Sequence, residues 1–432
     1  MSADETTKIT RRQFIKGTGY ATVGAATLSS GLLSAYAAPA KLTVFGMSTF
    51  SKKVDKMLND SLMEWAAKNG VTAEYSVLET TQLQQQLGAG IQAKVPPDIV
   101  VLMEDTLHYY IRMGALIDVS DVVNDLAREG GGLMDAAKAI VTSNNKIYGV
   151  PLWNNPWPLY VRTDLLKKAN AEVPTNWDEI LKVSLAVQRP PDLYGYGMTL
   201  GSAGDTTSNY APILWSFKGS FFTEDAKKSL LNTKANIEAL KVVKSWWDAK
   251  IIPPGSLGWD AGGNNKIYQS GQACFICNPP SVYAALVSSD PELAKNTLLA
   301  PMPYFTPIDG WQWAIPKDSK NIDLAKKCLR EWMKPAAIQA FIEQDIYRCP
   351  PYKGLYEKPY WQQSDLLKQF KKFLDTGRFN SWPSPPTPVT GEMINSNVVP
   401  NMIAAMLVEK RTPEEAAERG HKQLQEMLDK YK

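Results

Sequence analysis

The segment KIYGVPLWNNPWPLYVRTDLLKKANAEVPTNWDEI, residues 146–180 of a 432-residue chain, combines extended, turn and helical patterns in one continuous stretch. Two short apolar runs, 150–153 and 159–161, indicate strands, and Pro151 favours an extended backbone at the residue before it. Between the two runs, the sequence WNNPWP places two indole rings and two amides at a predicted bend. Aromatic and amide groups in such a position favour a cleft between two lobes over a solvated loop.

Three submotifs of this stretch, K-I-Y-G-V-P, L-Y-V-R-T-D-L-L-K-K-A and V-P-T-N-W-D-E-I, carry a family resemblance. In order and spacing they resemble the first crossover of the family 1 extracellular solute-binding proteins, the sugar-binding, maltose-binding-protein-like subunits of ABC importers. Further on, Y-G-Y-G-M at 194–198 resembles a strand of that family. The block D-G-W-Q-W-A-I-P-K-D-S-K-N at 309–321 resembles its return crossing, with aspartates at 309 and 318 in place of the usual glycines.

The resemblance covers roughly residues 41–432 and implies a fold. We expect an α/β protein with the two-lobe, type II-like periplasmic binding protein fold, in which each lobe is a mostly parallel sheet flanked by helices. The lobes are predicted to be discontinuous, 41–153 plus 305–352 for the N-terminal lobe and 154–304 plus 353–432 for the C-terminal lobe. Several hinge crossings join them, and we expect these near Trp153, at 303–310 and at 349–355.

The N-terminus has the pattern of an export signal. The sequence T-R-R-Q-F-I-K at 10–16 resembles the twin-arginine motif, residues 17–33 are weakly apolar, and small residues at 34–40 offer cleavage sites after 37, 38 or 40. The alternative, a membrane anchor, is disfavoured by interrupting glycines. We expect residues 1–40 to be removed after export by the Tat machinery. Because no cysteine precedes Cys274, no lipid attachment motif is expected, and a soluble periplasmic protein is predicted.

Composition excludes several classes of function. Removing residues 1–40 takes away four basic and two acidic residues, so the formal net charge falls from +3 to +1 and gives no case for binding nucleic acid or an anionic membrane. The histidines are His108 and His421, too few for a histidine-based metal site or a catalytic triad. The sequence has no cofactor fingerprint, so we expect no cofactor and no metal. The remaining 392 residues are more than a single hydrophobic core usually supports, so two lobes are predicted.

From residue 41 onward, apolar periodicity predicts a β-α-β-α-β order, whose ligand edge lies at the carboxyl ends of the strands. Polar residues follow each predicted strand, namely Thr49, Thr81, and the pair Glu104 and Asp105. The resemblance places that pair where a carboxylate accepts sugar hydroxyls. An equally good alternative for Asp105 is that it caps the next helix.

Eight of the thirteen tryptophans divide into two predicted groups. Rings at helical spacing, at positions 65, 246, 247 and 332, are expected in the core. Rings at crossings or in loops are expected at the ligand. For Arg348 two roles stay open, donation to ligand hydroxyls or pairing with a lobe carboxylate. The candidate ligand-binding residues are Thr49, Thr81, Glu104, Asp105, Trp153, Asn154, Asn155, Trp157, Trp259, Asp260, Asn278, Trp311 and Arg348.

Two functions of different classes remain. The first is a monomeric, non-catalytic binding protein that closes on a sugar, oligosaccharide or polyol and docks on the permease subunits of an ABC transporter. The second is an exported carbohydrate-active enzyme, a glycosidase or lyase using paired carboxylates, and no spaced acidic motif supports it. The C-x-x-C of Cys274 and Cys277 suggests metal or redox chemistry, but both lie in a predicted strand without a second pair, so we interpret them as small strand residues.

We predict that the double substitution Arg11→Lys with Arg12→Lys blocks export. A reporter that is active only when folded before transport is fused behind residues 1–40, and its activity outside the cytoplasm is measured. Lysines keep the charge but not the twin-arginine motif that the export machinery reads. Unchanged export of the double variant would remove this assignment.

Overall fold

The computed structural model describes residues 40–49, 51–344 and 347–430; the predicted signal peptide and its twin-arginine motif lie outside them. The strands are β1 (Lys41–Met47), β2 (Thr72–Leu78), β3 (Ile99–Met103), β4 (Thr142–Ser143), β5 (Lys146–Ile147), β6 (Val150–Pro156), β7 (Leu159–Arg162), β8 (Tyr194–Tyr196), β9 (Ala273–Cys277), β10 (Thr297–Ala300) and β11 (Ile308–Ala314). The helices of the N-terminal half are α1 (Lys52–Lys68), α2 (Thr80–Gln92), α3 (Glu104–Arg112), α4 (Ser120–Glu129), α5 (Asp135–Val141), α6 (Thr163–Ala169), α7 (Trp177–Val187) and α8 (Gly204–Ser216). Those that follow are α9 (Lys234–Asp248), α10 (Gly263–Gln269), α11 (Ser281–Ser289), α12 (Pro291–Lys295), α13 (Ile322–Trp332), α14 (Pro335–Ile342), α15 (Asp365–Thr376), α16 (Pro388–Asn395), α17 (Val398–Leu407) and α18 (Pro413–Asp429).

The first sheet has the strand order β2-β1-β3-β11-β6. Strand β1 is parallel to β2 and β3, which confirms the predicted β-α-β-α-β order. Strand β11, from the return crossing, lies antiparallel between β3 and β6. The carboxyl ends of β1, β2, β3 and β6 and the start of β11 therefore meet at one edge of this sheet.

The second sheet has the order β10-β7-β9-β8 and is mixed. Strand β8 is parallel to β9, whereas β7 is antiparallel to both β9 and β10. Cys274 and Cys277 are buried, free residues of β9, which confirms their interpretation as small strand residues. Helix α9 packs on the core of this lobe through Trp246, whose ring lies 5.0 Å from Tyr196 and 5.8 Å from Trp177 between centroids.

Three chain crossings lie side by side between the sheets. The Trp157 amide donates to the Pro307 carbonyl at 2.8 Å, and the Ile308 amide donates to the Arg378 carbonyl at 2.9 Å. The Arg378 amide in turn donates to the carbonyl of Thr306 at 2.9 Å. These backbone bonds tie the crossings into one narrow hinge.

The third crossing is predicted at 349–355, and we propose a later place for it. The backbone of Arg378 exchanges hydrogen bonds with Thr306 and Ile308 of the second crossing. The buried side chains from Leu355 to Leu374, including Phe370 and Phe373 of α15, share one hydrophobic core with the first sheet, and this core also extends to residues of the second sheet. On this basis we propose lobe boundaries of 41–156 plus 308–376 and 157–307 plus 378–430.

Local structure departs from the predicted pattern at WNNPWP. Strand β6 stays extended to Pro156, so the predicted bend comes later. Across the described ranges, no helix combines the length and apolar character that crossing a bilayer requires.

Two neighbouring tryptophans of α9 allow a matched stability test. Trp246 is fully buried and Trp247 is partly exposed. We expect Trp246→Ala to lower the free energy of unfolding by about 3–5 kcal/mol, because it leaves a large cavity. Trp247→Ala is expected to cost about 1 kcal/mol. Urea denaturation of both variants measures the difference, and equal losses would contradict this placement of the core.

Candidate functional site

Two adjoining cavities lie between the lobes, with volumes of about 350 Å³ and about 70 Å³. Both are lined by residues from the edge of the first sheet and from the second lobe. Six residues line both cavities, Thr80, Met103, Trp157, Asp205, Ala261 and Asp309. The two cavities thus form one site, which we call the cleft.

The first lobe lines the cleft with two helix N-termini. Helix α2 begins at Thr80 and also presents Thr81, and helix α3 begins with Glu104 and Asp105. Both carboxylates are buried, and Asp105 accepts hydrogen bonds from the amide of Thr106 at 2.6 Å and from its hydroxyl at 2.9 Å. Glu104 accepts from the Gly310 amide at 3.3 Å.

The second lobe lines the cleft with the N-terminus of α8, a loop, and the end of α16. Asp205 lies in the first turn of α8 and accepts from the Asn264 side chain at 3.4 Å. Helix α16 packs tightly on α3, since a Cβ atom at Gly391 would lie 2.7 Å from the Asp105 carbonyl oxygen. The lobes are therefore in direct contact beside the cleft, and only glycine fits at this point.

A hydrogen-bonded network around Asp309 joins strands β6 and β11 at the cleft. One carboxylate oxygen of Asp309 accepts from the Asn155 side chain at 2.5 Å, and the other accepts from the Trp157 indole at 2.6 Å. Arg348 donates to the Asn155 side-chain oxygen at 2.6 Å. Its guanidinium carbon lies 5.3 Å and 5.8 Å from the ring centroids of Trp153 and Trp311. Arg348 is thus hydrogen-bonded to neutral groups and packed near two indole rings, and its charge also attracts Asp309.

Burial dominates the electrostatics of the cleft. It raises the pKa of Asp309 to about 6 and the pKa of Asp205 to about 7. Burial also raises the pKa values of Glu104 and Asp105, and for Glu104 the neighbouring carboxylates add to the effect. For Arg348, burial lowers the pKa of the guanidinium. In each case the surroundings in the cleft solvate the charged form of the group less well than water does.

Nine of the residues proposed from sequence line the cleft. They are Thr81, Glu104, Asp105, Asn155, Trp157, Asp260, Asn278, Trp311 and Arg348. Asp105 combines both roles left open for it, since it lies in the first turn of α3 and also faces the cavity.

Four proposed residues do not line the cleft. Trp153, which is expected at the ligand, is 2% exposed and packs on Trp311 in a hydrophobic core, because every residue of β6 is buried. Asn154 pairs its backbone with Cys349. The hydroxyl of Thr49 donates to Asp55 at 2.7 Å, and Trp259 lines a depression on the outside of the second lobe.

Sequence reasoning missed several lining residues. It marks Asp309 only as a departure from glycine, and it does not single out Asp205, Asn265 or Asn380, which also line the cleft. The replacement of a usual glycine by Asp309 is the clearest indication in the sequence of a functional carboxylate.

Charged and metal-ligating residues outside the cleft suggest no second site. A depression of about 820 Å³ on the first lobe is lined by charged residues that pair with each other, Lys353 with Asp135 and Lys371 with Asp375. Among the residues that the structure describes, no group of three or more His, Cys, Asp or Glu side chains is arranged to hold a metal ion.

Comparison with known proteins places the chain in context. The family model of the bacterial extracellular solute-binding proteins matches residues 46–339. A probable ABC transporter-binding protein of Deinococcus radiodurans is 24% identical, over 68% of this chain and 76% of its own. The maltodextrin-binding protein MdxE of Bacillus subtilis is 22% identical, over 87% and 88%. A solute-binding protein structure from Thermotoga lettingae with bound α-D-tagatose has a TM-score of 0.82 at 18% identity and covers 90% of this chain and all of that one.

We predict that Asp205→Asn raises the melting temperature of the ligand-free protein at pH 8. The folded-state pKa of Asp205, about 7, lies above its ordinary value of 3.8, so the folded protein loses stability as pH rises between these values. Asparagine is neutral throughout and keeps an oxygen for Asn264.

The advantage of the variant should shrink as pH falls from 7 to 4, where the wild-type carboxyl is protonated in the folded state. The matched control is Asp192→Asn, at an exposed turn of the same lobe. Calorimetric melting curves across this pH range measure both variants. A constant difference at every pH would contradict the raised pKa.

Proposed function

Because the chain belongs to the bacterial extracellular solute-binding protein family, we propose that it captures a sugar, oligosaccharide or related polyol in the cleft and delivers it to the permease of an ABC importer. The observation that carries this proposal is the lining of the cleft, in which both lobes contribute polar groups around aromatic rings. The cavity volume of about 350 Å³ lies within the roughly 300–1,000 Å³ of small-molecule sites.

The chemistry of the lining suits a carbohydrate. Trp157 and Trp311 offer ring surfaces for the C–H faces of a sugar or polyol, and each stacked ring contributes on the order of 1 kcal/mol beyond area burial. The carboxylates and amides accept hydrogen bonds from hydroxyl groups. Thr80 and Thr81 offer hydroxyls that both donate and accept.

The relatives support the same ligand class. One relative is a maltodextrin-binding protein and one similar structure holds α-D-tagatose. The competing function, an exported glycosidase or lyase, finds no support, because the family consists of solute-binding proteins. The carboxylates of the cleft are accordingly assigned to binding.

The proposal includes the cellular setting. We propose export by the twin-arginine route, removal of residues 1–40, and a monomeric, soluble protein in the periplasm that meets its permease there. The extracellular character of the family supports a location outside the cytoplasm.

Binding is proposed to close the lobes about the hinge. Asp205 and Asp260 belong to the second lobe, whereas Asp105 and Asp309 belong to the first, so a ligand that contacts both sets bridges the lobes. The three adjacent crossings give the rotation a short axis.

We predict that Trp157→Ala weakens carbohydrate binding by about 1–3 kcal/mol, since the ring covers the ligand and its indole orients Asp309. Trp157→Phe keeps a ring but removes the hydrogen bond, so an intermediate loss is expected. Isothermal titration with D-tagatose, maltotriose and ribitol provides the measurement.

Trp247→Ala, on the outer helix α9, is the control and should bind as the wild type does. Small-angle scattering with saturating ligand should show a smaller radius of gyration than without it. If none of a wide panel of sugars and polyols binds, the proposed function is wrong.

A further inference from the structure

The cleft carries an unbalanced charge. Five carboxyl groups line it, those of Glu104, Asp105, Asp205, Asp260 and Asp309. Arg348 is the one basic side chain among the described lining residues. It is hydrogen-bonded to Asn155 and to the Thr49 carbonyl, and its charge attracts Asp309, so it compensates one of the five carboxyl groups in part. The site is therefore strongly acidic.

The protein supplies these carboxylates with neutral partners. In the described part of the chain, Glu104, Asp105, Asp205 and Asp309 accept hydrogen bonds only from amide, indole and hydroxyl groups. None of these four carboxylates forms a direct ion pair with a lysine or arginine side chain of the described residues. Buried charges in folded proteins are normally paired or strongly hydrogen-bonded. Burial therefore opposes ionisation of these groups in the ligand-free protein, and a ligand that supplies positive charge would favour their ionised forms.

An independent observation points to the same kind of ligand. Asn380 lines the cleft and is 7% exposed, and its side-chain NH₂ donates to Ser208 at 3.0 Å. Its carbonyl oxygen is buried without a hydrogen-bond partner in the described structure. A buried acceptor left in this state costs free energy until a donor arrives. Such a donor is what an ammonium group offers, with several N–H bonds and no acceptor.

From this juxtaposition of unpaired carboxylates, the Asn380 carbonyl and two indole rings, we infer that the preferred ligand carries a protonated amine, as an amino sugar or an amino polyol does. This inference rests on the proposed function and narrows its ligand class. Ammonium groups also interact favourably with the faces of indole rings, which Trp157 and Trp311 provide.

Helix dipoles and a bound metal ion account less well for the acidic lining. Glu104, Asp105 and Asp205 lie in first turns of helices, where each helix contributes about half a positive elementary charge. That charge compensates only part of the cluster, and Asp309 lies on a strand. A metal ion would need converging ligands, and the carboxylates among the described residues do not converge in this way. An extended organic cation fits better.

Matched pairs of ligands test the inference. The pairs are D-glucosamine with D-glucose, and 1-amino-1-deoxy-D-sorbitol with D-sorbitol, and N-acetyl-D-glucosamine is a neutral control for the added bulk. By isothermal titration we expect each amine to bind about tenfold or more tightly than its neutral partner, because charge-assisted hydrogen bonds in a dry site are strong.

Asp205→Asn should reduce this amine preference, measured as the ratio of the two dissociation constants within each pair, by about tenfold. Asp192→Asn removes the same charge from an exposed turn and should leave the preference intact. A preference that survives Asp205→Asn unchanged would overturn the assignment of the ammonium site.

Proton exchange on binding gives a second readout. Asp205 faces Asp260 and Asp309, with Glu104 and Asp105 on α3 and Arg348 beyond them. At pH 7, where Asp205 is partly protonated, a bound ammonium group favours the ionised carboxylate, so protons are released. A neutral sugar brings no positive charge, so less proton release is expected with it. Titrations in two buffers of different ionisation enthalpy measure this difference.

Three outcomes are distinguishable. Tighter amine binding with proton release supports the inference. If neutral sugars bind as tightly as their amines or more so, the inference is wrong and the proposed function stands. If neither amines nor neutral carbohydrates bind, the proposed function fails and the inference fails with it.

Discussion

The antiparallel ladder that places β11 between β3 and β6 is the interaction on which the cleft depends. It brings the return crossing into the centre of the first sheet, with Trp311 paired to Met103 on one side and to Trp153 on the other. Asp309 is thereby fixed at the sheet edge within reach of Asn155 and Trp157. At the next position a Cβ atom would collide with Ile140, so only Gly310 permits this packing.

The cleft is built at a cost to the ligand-free protein. Burial raises the pKa values of Asp205, Asp309, Glu104 and Asp105, which means that the folded state destabilises their charged forms. The surrounding structure tolerates this because the cores of both lobes are extensive and apolar. Preorganised, poorly solvated polar groups favour ligand binding, since fewer contacts with water must be broken when the ligand enters.

Local periodicity and strand order were predictable, whereas the lobe that an element joins was not. The alternation in 71–77 and the apolar run 99–102 fix β2 and β3 through interactions between near neighbours in sequence. The sequence of helix α15 shows only that the helix has an apolar face. Whether that face packs on the first or the second lobe depends on contacts distant in sequence, so the place of the third crossing that we propose differs from the predicted one.

The same limit explains which site residues were found. Glu104, Asp105 and Thr81 follow strands whose carboxyl ends share an edge, so topology alone brought them to the cleft. The prediction for Trp153 was less successful because the direction of its side chain depends on where β6 ends. The apolar pattern of the sequence does not determine that end. The bulge between Trp311 and Gln312 likewise lets Trp311 reach the cleft while Trp313 packs on Trp332.

The charge of the cleft is coupled to closure of the lobes by this arrangement. Because Asp205 comes from the second lobe and the buried carboxylates from the first, closing the lobes brings like charges together in a dry site, where their repulsion is stronger than in water. A ligand that supplies positive charge or hydrogen-bond donors between them removes this repulsion and gains the contacts of both lobes. We propose that closure is therefore favoured with the ligand present and opposed without it, and that a permease recognises this difference.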